Sequence, residues 1–258
     1  MVPKVSTKKQ EITTKQAMRY SRQIMLDGFD LDKQETLMQS RALIIGLGGL
    51  GCAAAQYLVA SGIGSITLID DDKVENTNLQ RQILHGESSI GSLKVDSAFN
   101  ALIKLNSEVD ISCIAQRQDK SQLLSLMQEH DIILDCSDNL STRNLLNEVS
   151  YKSKKTLISG AAIRMEGQLF CVSPVDQSAC YACVSHFFGE QTLSCVDSGV
   201  MSPLVGVIGA MQALEAIKVI TGFGDPPINK LMMFDAMISS WESFNVNARE
   251  SCQTCSKQ

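Results

Sequence analysis

Two cysteine pairs of identical spacing, Cys180-x-x-Cys183 and Cys252-x-x-Cys255, carry the most specific chemical signal in this 258-residue chain. Four soft thiolates in two such pairs suit tetrahedral zinc, and a metal with all four positions filled by protein is structural rather than catalytic. The ion would clip the C-terminal tail to the loop at Cys180. The competing explanation is two coincidental pairs of buried thiols. The chain has nine cysteines, an odd number. Its first residues, MVPKVSTKKQEITTKQ, hold no apolar segment that could serve as a secretory signal. Reduced thiols and a cytoplasmic location are therefore expected.

A second set of residues could bind phosphate. In residues 41–72, RALIIGLGGLGCAAAQYLVASGIGSITLIDDD, the glycines Gly46, Gly48, Gly49 and Gly51 separate an apolar, β-rich run from a helix-forming one. Such glycines let backbone amides close on a pyrophosphate at a helix N-terminus. Asp70 ends the next apolar run, about where an acid meets ribose hydroxyls in nucleotide-binding βαβ units. The pattern alone suits a nicotinamide-dependent oxidoreductase, an ATP enzyme, or mere close packing of helix on strand. The polar segment DDKVENTNLQRQ that follows supplies Asn76, Asn78, Arg81 and Gln82. A triphosphate about to release pyrophosphate needs cations around the leaving group, and Arg81 and Lys94 are candidates. Lys94 opens a helix predicted over Leu93 to Leu105, where a lysine opposes the helix dipole. In DCSDN, residues 135–139, Asp138 could hold Mg²⁺ against phosphates, or simply cap a helix. Cys195, a single thiol in LSCVDSGV with His186 as its nearest histidine, invites a nucleophile reading.

The elements that must position these groups alternate. Strands are predicted at Ala42–Ile45, Ser65–Ile69, Asp110–Ala115, Ile132–Asp135 and Thr156–Gly160. Helices fall between them at Cys52–Ala60, Leu93–Leu105, near Ser121–Glu129 and near Thr142–Tyr151. That alternation specifies an α/β fold: a Rossmann-like, mostly parallel sheet with helices on both faces and ligands at the carboxyl ends of the strands. Strands at Gln168–Val172, Lys230–Asp235 and Trp241–Val246 lack long intervening helices and extend the sheet as antiparallel pairs. Ser202 as N-cap, Pro203 and Gly222 bracket a long helix. An N-terminal helix is predicted over Lys15–Leu26, its arginines Arg19 and Arg22 on a solvated face. Residues 1–14 read as a flexible tail and 15–258 as a single domain, with a nucleotide-binding half at 41–160.

The net charge of -5 and a pI near 5.3, with no basic cluster, argue against nucleic acid as a partner. Two apolar stretches, the glycine-containing one and Pro203 to Ile220, fall short of a membrane span. Glycines break the first, and Gln212, Glu215 and Lys218 interrupt the second. Both read as core elements.

Taken together, GLGGLG at 46–51, Asp70, TNLQRQ at 77–82, Lys94, DCSDN at 135–139, SGAAIRMEGQ at 159–168, CYAC at 180–183, SCVDSGVMSPLVGVIG at 194–209 and the terminal cysteine pair resemble the molybdopterin-synthase adenylyltransferase family (MoeB type). The resemblance runs from Met18 to Cys255 and extends to the adenylating domain of ubiquitin-activating enzymes and to the enzyme charging the thiazole sulfur carrier. It implies that ATP activates the C-terminal glycine of a ubiquitin-like sulfur-carrier protein, the small subunit of molybdopterin synthase, as an acyl-adenylate. A persulfide from a separate sulfur donor then yields a thiocarboxylate, there being no sulfur-transfer domain after Cys255. By the same resemblance Gly46, Gly48, Gly49 and Gly51 cradle the nucleotide, Asp70 holds the ribose and Asp138 places Mg²⁺. Asp72, Thr77, Asn78, Leu79, Gln80, Arg81, Lys94, Ser137 and Asn139 complete the ATP site. Arg22 reaches the phosphates of the other subunit of a homodimer, in place of its solvated face. Residues 161–258 form the carrier- and zinc-binding half, and Cys195 is an auxiliary thiol. The thiazole-carrier enzyme, a nicotinamide-dependent oxidoreductase and a non-catalytic module that only docks a ubiquitin-like tail are the alternatives.

Overall fold

A computed structural model describes residues 11–187 and 198–256. The N-terminal elements are α1 (Thr14–Arg19), α2 (Ser21–Ile24) and α3 (Asp30–Met38). The alternating part follows as β1 (Arg41–Ile45), α4 (Gly49–Ser61), β2 (Ser65–Ile69), α5 (Lys94–Leu105), β3 (Asp110–Ile114), α6 (Lys120–Glu129), β4 (Ile132–Asp135), α7 (Leu140–Ser153) and β5 (Leu157–Ile163). The chain closes with β6 (Glu166–Val172), α8 (Tyr181–Ser185), α9 (Ser202–Thr221), β7 (Lys230–Asp235) and β8 (Ser240–Asn245).

The strands form one eight-stranded sheet in the order β3-β2-β1-β4-β5-β6-β7-β8. Pairing is parallel from β3 to β5 and antiparallel from β5 to β8. Side chains of β1 alternate between the faces, as strand geometry requires. Ala42 and Ile44 pack into one core with Leu58 and Ile208, while Leu43 and Ile45 join Leu146, Cys180 and Cys252 in the other. Helices therefore cover both faces, which is why β1 reads as an unbroken apolar run. The order reverses between β1 and β4, so a crevice opens at their carboxyl ends.

Helix α9 has the length and apolarity of a membrane span, but it lies against α4, β5 and β6. Its polar residues face inward. Gln212 is fully buried and donates from Nε2 to the carbonyls of Asp135 (2.7 Å) and Ile158 (3.1 Å), and Glu215 pairs with Lys218 at 2.8 Å. Gly209 lets α9 approach α4 so closely that an added Cβ would run into the Leu50 carbonyl.

Three local expectations change. The single helix over Lys15–Leu26 is two short helices broken at Tyr20, whose buried side chain accepts a hydrogen bond from Asn106 Nδ2 (2.9 Å) and fixes the bend. Ser202 is the first residue of α9 rather than its cap. Its hydroxyl donates to the Gln80 carbonyl, so Met201 stands at the cap without a side-chain bond. Helix α3 escapes sequence reading because no cap residue precedes it; Phe29 holds that position. Residues 1–10 of the expected tail lie outside the described residues, whereas Thr13 forms a capping box with Gln16 at the start of α1.

Two alanine substitutions on α9 should act in opposite directions. Gly209→Ala should destabilise by about 1–3 kcal/mol or more, because backbone rather than a flexible side chain meets the new methyl. Gly206→Ala, with nothing among the described residues within 4 Å of the added Cβ, should stabilise by up to ~1 kcal/mol through helix propensity. Denaturant unfolding checks both, and equal effects would contradict the packing described.

Candidate nucleotide site and cysteine cluster

The turn from β1 into α4 is set by backbone proximity. Gly46 has φ 93°, and a Cβ there would lie 2.7 Å from the Cys136 carbonyl oxygen at the end of β4. A Cβ on Gly51 would collide with the Gly46 carbonyl, and one on Gly49 would meet Val205 of α9 at 2.5 Å. Helix α4 thus begins at Gly49, earlier than its composition suggests. Its cap, Gly48, has no side chain to offer the first N–H groups, which leaves them to bind an anion.

A cavity of about 360 Å³ opens at this turn, within the roughly 300–1,000 Å³ range of small-molecule sites. Its walls include Gly46, Gly48, Gly49, Asp70, Asp72, Arg81, Lys94, Ser137, Asp138 and Asn139 from the expected set. Gly51, Thr77, Asn78, Leu79 and Gln80 are not among its lining residues. Gly51 acts in the turn's packing, and residues 76–78 form a 3₁₀ turn in which the Asn78 side chain accepts from Glu75 N (3.1 Å). That turn carries Arg81, whose Nη1 donates to the Thr77 carbonyl at 3.1 Å. Arg22 is exposed on α2 and does not line its own chain's cavity.

Lys94 is buried at 6% exposure, and its Nζ sits 2.8 Å from Asp72 Oδ2. The pairing answers why a lysine occupies the first turn of α5. Asp70 holds the loop with both oxygens: Oδ2 accepts from Leu47 N (2.6 Å) and Oδ1 from Asp72 N (2.9 Å). Burial raises its carboxyl above the ordinary value, with Lys94 working in the other direction. The Leu47 peptide is gripped on its other side by His85, whose Nε2 lies 3.1 Å from the Leu47 carbonyl and whose Nδ1 lies 3.0 Å from Ser97 Oγ. Burial holds His85 below its usual 6.5, so the neutral ring donates from Nε2.

Asn139, not Asp138, caps α7, accepting from Thr142 N at 2.9 Å. Asp138 is exposed, and among the described residues its carboxylate meets only Asn139 Nδ2, at 3.4 Å. Sequence reading missed what stands behind it. Arg143, 6% exposed, donates to the carbonyls of Ser137 (2.8 Å) and Gly160 (2.9 Å) and faces Asp135 Oδ2 at 3.5 Å. Its only sequence signal was a basic residue one turn past the cap. Gln82 of the polar segment lines the cavity, as do Arg117 and Gln118, which sequence reading did not anticipate; among the described residues Gln82 Oε1 is buried without a hydrogen-bond partner. Burial disfavours the thiolate form of the thiols near the loop, pushing Cys52 up to about 12 and Cys136 well above 9.0. Cys195 lies outside the described residues.

On the opposite face, the four Sγ atoms of Cys180, Cys183, Cys252 and Cys255 lie within 4.8 Å of one another. Cys180 and Cys252 are 3.6 Å apart, and Cys183 and Cys255 are 3.4 Å apart. Tetrahedral thiolates at a Zn–S distance of ~2.3 Å stand about 3.8 Å apart, so the cluster fits a zinc ion.

Residues 20–255 match the ThiF family. The chain is similar to the molybdopterin-synthase adenylyltransferase of Escherichia coli (strain K12), 47% identical over 245 residues that cover 95% of this chain and 98% of that protein. The adenylyltransferase and sulfurtransferase MOCS3 of Drosophila persimilis is 43% identical over 98% of this chain, which spans 56% of that protein's length. Among solved structures, E. coli MccB with ATP superposes with a TM-score of 0.81 at 26% identity, over 92% of this chain and 74% of that one.

Because the folded chain favours neutral His85, the unfolded chain takes up its proton first on acidification. The stability His85 contributes is complete above pH ~6.5 and lost as pH falls below that value. Unfolding midpoints measured from pH ~7.5 down to ~5.5 should drop more steeply in the unsubstituted protein than in His85→Gln. Parallel slopes would argue against a neutral, buried ring.

Proposed function

The chain belongs to the ThiF family, and we propose that it is an ATP-dependent adenylyltransferase. Its substrate is the C-terminal glycine carboxylate of a ubiquitin-like carrier, the small subunit of molybdopterin synthase, and its place is molybdenum cofactor biosynthesis in the cytoplasm. One observation carries the reading: an uncapped helix N-terminus, two cations and an exposed carboxylate converge on one cavity at the sheet's switch point. Hydride transfer to a nicotinamide has no use for Arg81, Lys94 and Asp138 together.

The reaction joins a carrier carboxylate oxygen to the α-phosphorus as the bond to the β-phosphate breaks and pyrophosphate leaves. The carboxylate is already ionised, so the protein needs no nucleophile or base of its own; alignment and charge neutralisation suffice. The amides at the start of α4 hold phosphate oxygens, and Asp70 orients the ribose while fixing Leu47. Arg81 and Lys94 take up charge on the leaving pyrophosphate. Asp138 is the residue to hold Mg²⁺, which would supply further charge neutralisation across the phosphates. Cys180, Cys183, Cys252 and Cys255 would hold zinc, which ties the C-terminal segment to α8. Arg22 serves the partner's site in a homodimer. Just after α2, Met25 and Leu26 are exposed apolar residues suited to that contact. The terminal sulfur of a separate persulfide donor then displaces AMP from the adenylate to give an acyl disulfide, and a thiol reductant cleaves its S–S bond, leaving the thiocarboxylate on the carrier and a disulfide on the donor side.

ATP–pyrophosphate exchange is expected with the molybdopterin-synthase small subunit, and exchange only with the thiazole carrier would overturn the choice of substrate. Asp138→Ala should slow exchange about 100-fold or more, the scale of losing one preorganised charge partner, with the fold intact by circular dichroism; near-normal exchange would remove Asp138 from the site. Cys183→Ser should lower both metal content and the unfolding midpoint, by about 2–4 °C for each kcal/mol lost. Zinc still at one per chain after that change would contradict the clip.

A further inference from the structure

One face of α7 touches the cysteine turn at three successive helical turns. Arg143 places its guanidinium carbon 5.3 Å from the ring centroid of Tyr181, within cation–π reach. Asn147 Oδ1 accepts from Tyr181 N at 2.8 Å. Tyr151 donates its hydroxyl to the Ser178 carbonyl. The spacing of 143, 147 and 151 puts all three on one stripe, and Tyr181 lies inside the Cys180-x-x-Cys183 turn itself.

The other side of Arg143 belongs to the nucleotide site. Its donors go to Ser137 O, Gly160 O and Ser159 Oγ (3.3 Å), and Asp135 lies opposite. Asp135 in turn accepts from Ser137 N (3.1 Å), Ser137 Oγ (2.5 Å) and Ser159 Oγ (2.8 Å). The turn from 135 to 138 is therefore built on one buried ion pair, and its next residue is the exposed Asp138. A planar fork that serves carbonyls at its edge and a ring on its face is a use of arginine that lysine cannot reproduce.

The geometry points to Arg143 as a positioning residue that couples the cysteine cluster to the turn presenting Asp138, through Tyr181. Metal held by the cysteines would fix the Cys180–Cys183 turn, Tyr181 holds the guanidinium through its ring and its hydroxyl, and the guanidinium holds the Ser137 carbonyl. Loosening either end loosens the other, since coupling between sites is reciprocal. The inference rests on the reading of Asp138 as a residue of the adenylation site, and the test separates the two.

Arg143→Lys, Tyr181→Leu and Tyr181→Phe are compared in the full chain by metal content, by hydrogen exchange and by the kinetics of pyrophosphate exchange. Tyr181→Leu should keep its metal while amides in 135–142 exchange faster. The kcat should fall about 10- to 100-fold, as for supporting partners of a site, with little change in KM for ATP. Tyr181→Phe, which keeps the ring but removes the hydroxyl that also bonds the guanidinium, should fall between the unsubstituted protein and Tyr181→Leu in both exchange and kcat. Arg143→Lys should speed exchange in 180–185 as well as in 135–142. If Tyr181→Leu loses its metal, Arg143→Lys decides, because it leaves the cysteine turn chemically untouched. Unchanged exchange at 180–185 in that variant overturns the coupling. Faster exchange at both ends with normal kcat keeps the coupling and instead removes the 135–138 turn from the reaction, an outcome Asp138→Ala reports independently.

Discussion

The structure depends on how closely three pieces of backbone approach at the end of β1. Gly46 lies against the Cys136 carbonyl, and Gly51 lies against the Gly46 carbonyl; neither position has room for a Cβ. This contact brings the ends of β1 and β4 together and aims the first turn of α4 into the crevice between them. From it follow the uncapped amides, the cavity, and the packing of α9, whose Val205 occupies the space a side chain on Gly49 would need. The parallel half of the sheet supplies the crevice, and the glycines keep it open to an anion.

Charge is arranged around that crevice in two layers. Arg81 and Lys94 face the cavity, and Lys94 is steadied by Asp72. Behind them sits a buried pair, Asp135 and Arg143. Burial opposes the charge on Arg143, and the Asp135 carboxylate together with Tyr181 and Cys136 more than offsets it. A pair of this kind adds little net stability compared with apolar packing, but removing one partner strands the other. Its structural effect here is to shape the turn before α7. Asp70 works similarly on the opposite wall, spending both oxygens on loop amides.

Much of this was legible in the residues. The order of strands and helices from 41 to 160 followed from periodicity, because strands buried on both faces must be continuously apolar. The cysteine pairs announced their cluster because metal ligation demands fixed ligand types and spacing. The glycine loop, Asp70 and Lys94 were legible for a related reason: each departs from what its own element prefers, a lysine at a helix start being the clearest case. Arg143, His85 and Gln212 were not. Each bonds to groups remote in the chain, and a polar residue inside a helix looks the same from sequence whether it meets water or a buried carbonyl.

Sequence by itself determined the glycine turn, the cations Arg81 and Lys94 at the cavity and the cysteine set, since backbone clearance, charge and thiolate ligation depend on residue type. It also determined the fold class, since periodicity of burial is local. Tertiary structure alone decided which members converge. Arg81 reaches the cavity while Thr77, Asn78, Leu79 and Gln80 do not line it, and Asn139 takes the cap that Asp138 could have taken. It also decided that α7 faces the 135–138 turn at one end and the cysteine cluster along one side. Those choices rest on side-chain directions fixed only when helices dock on the sheet, and no spacing along the chain encodes them.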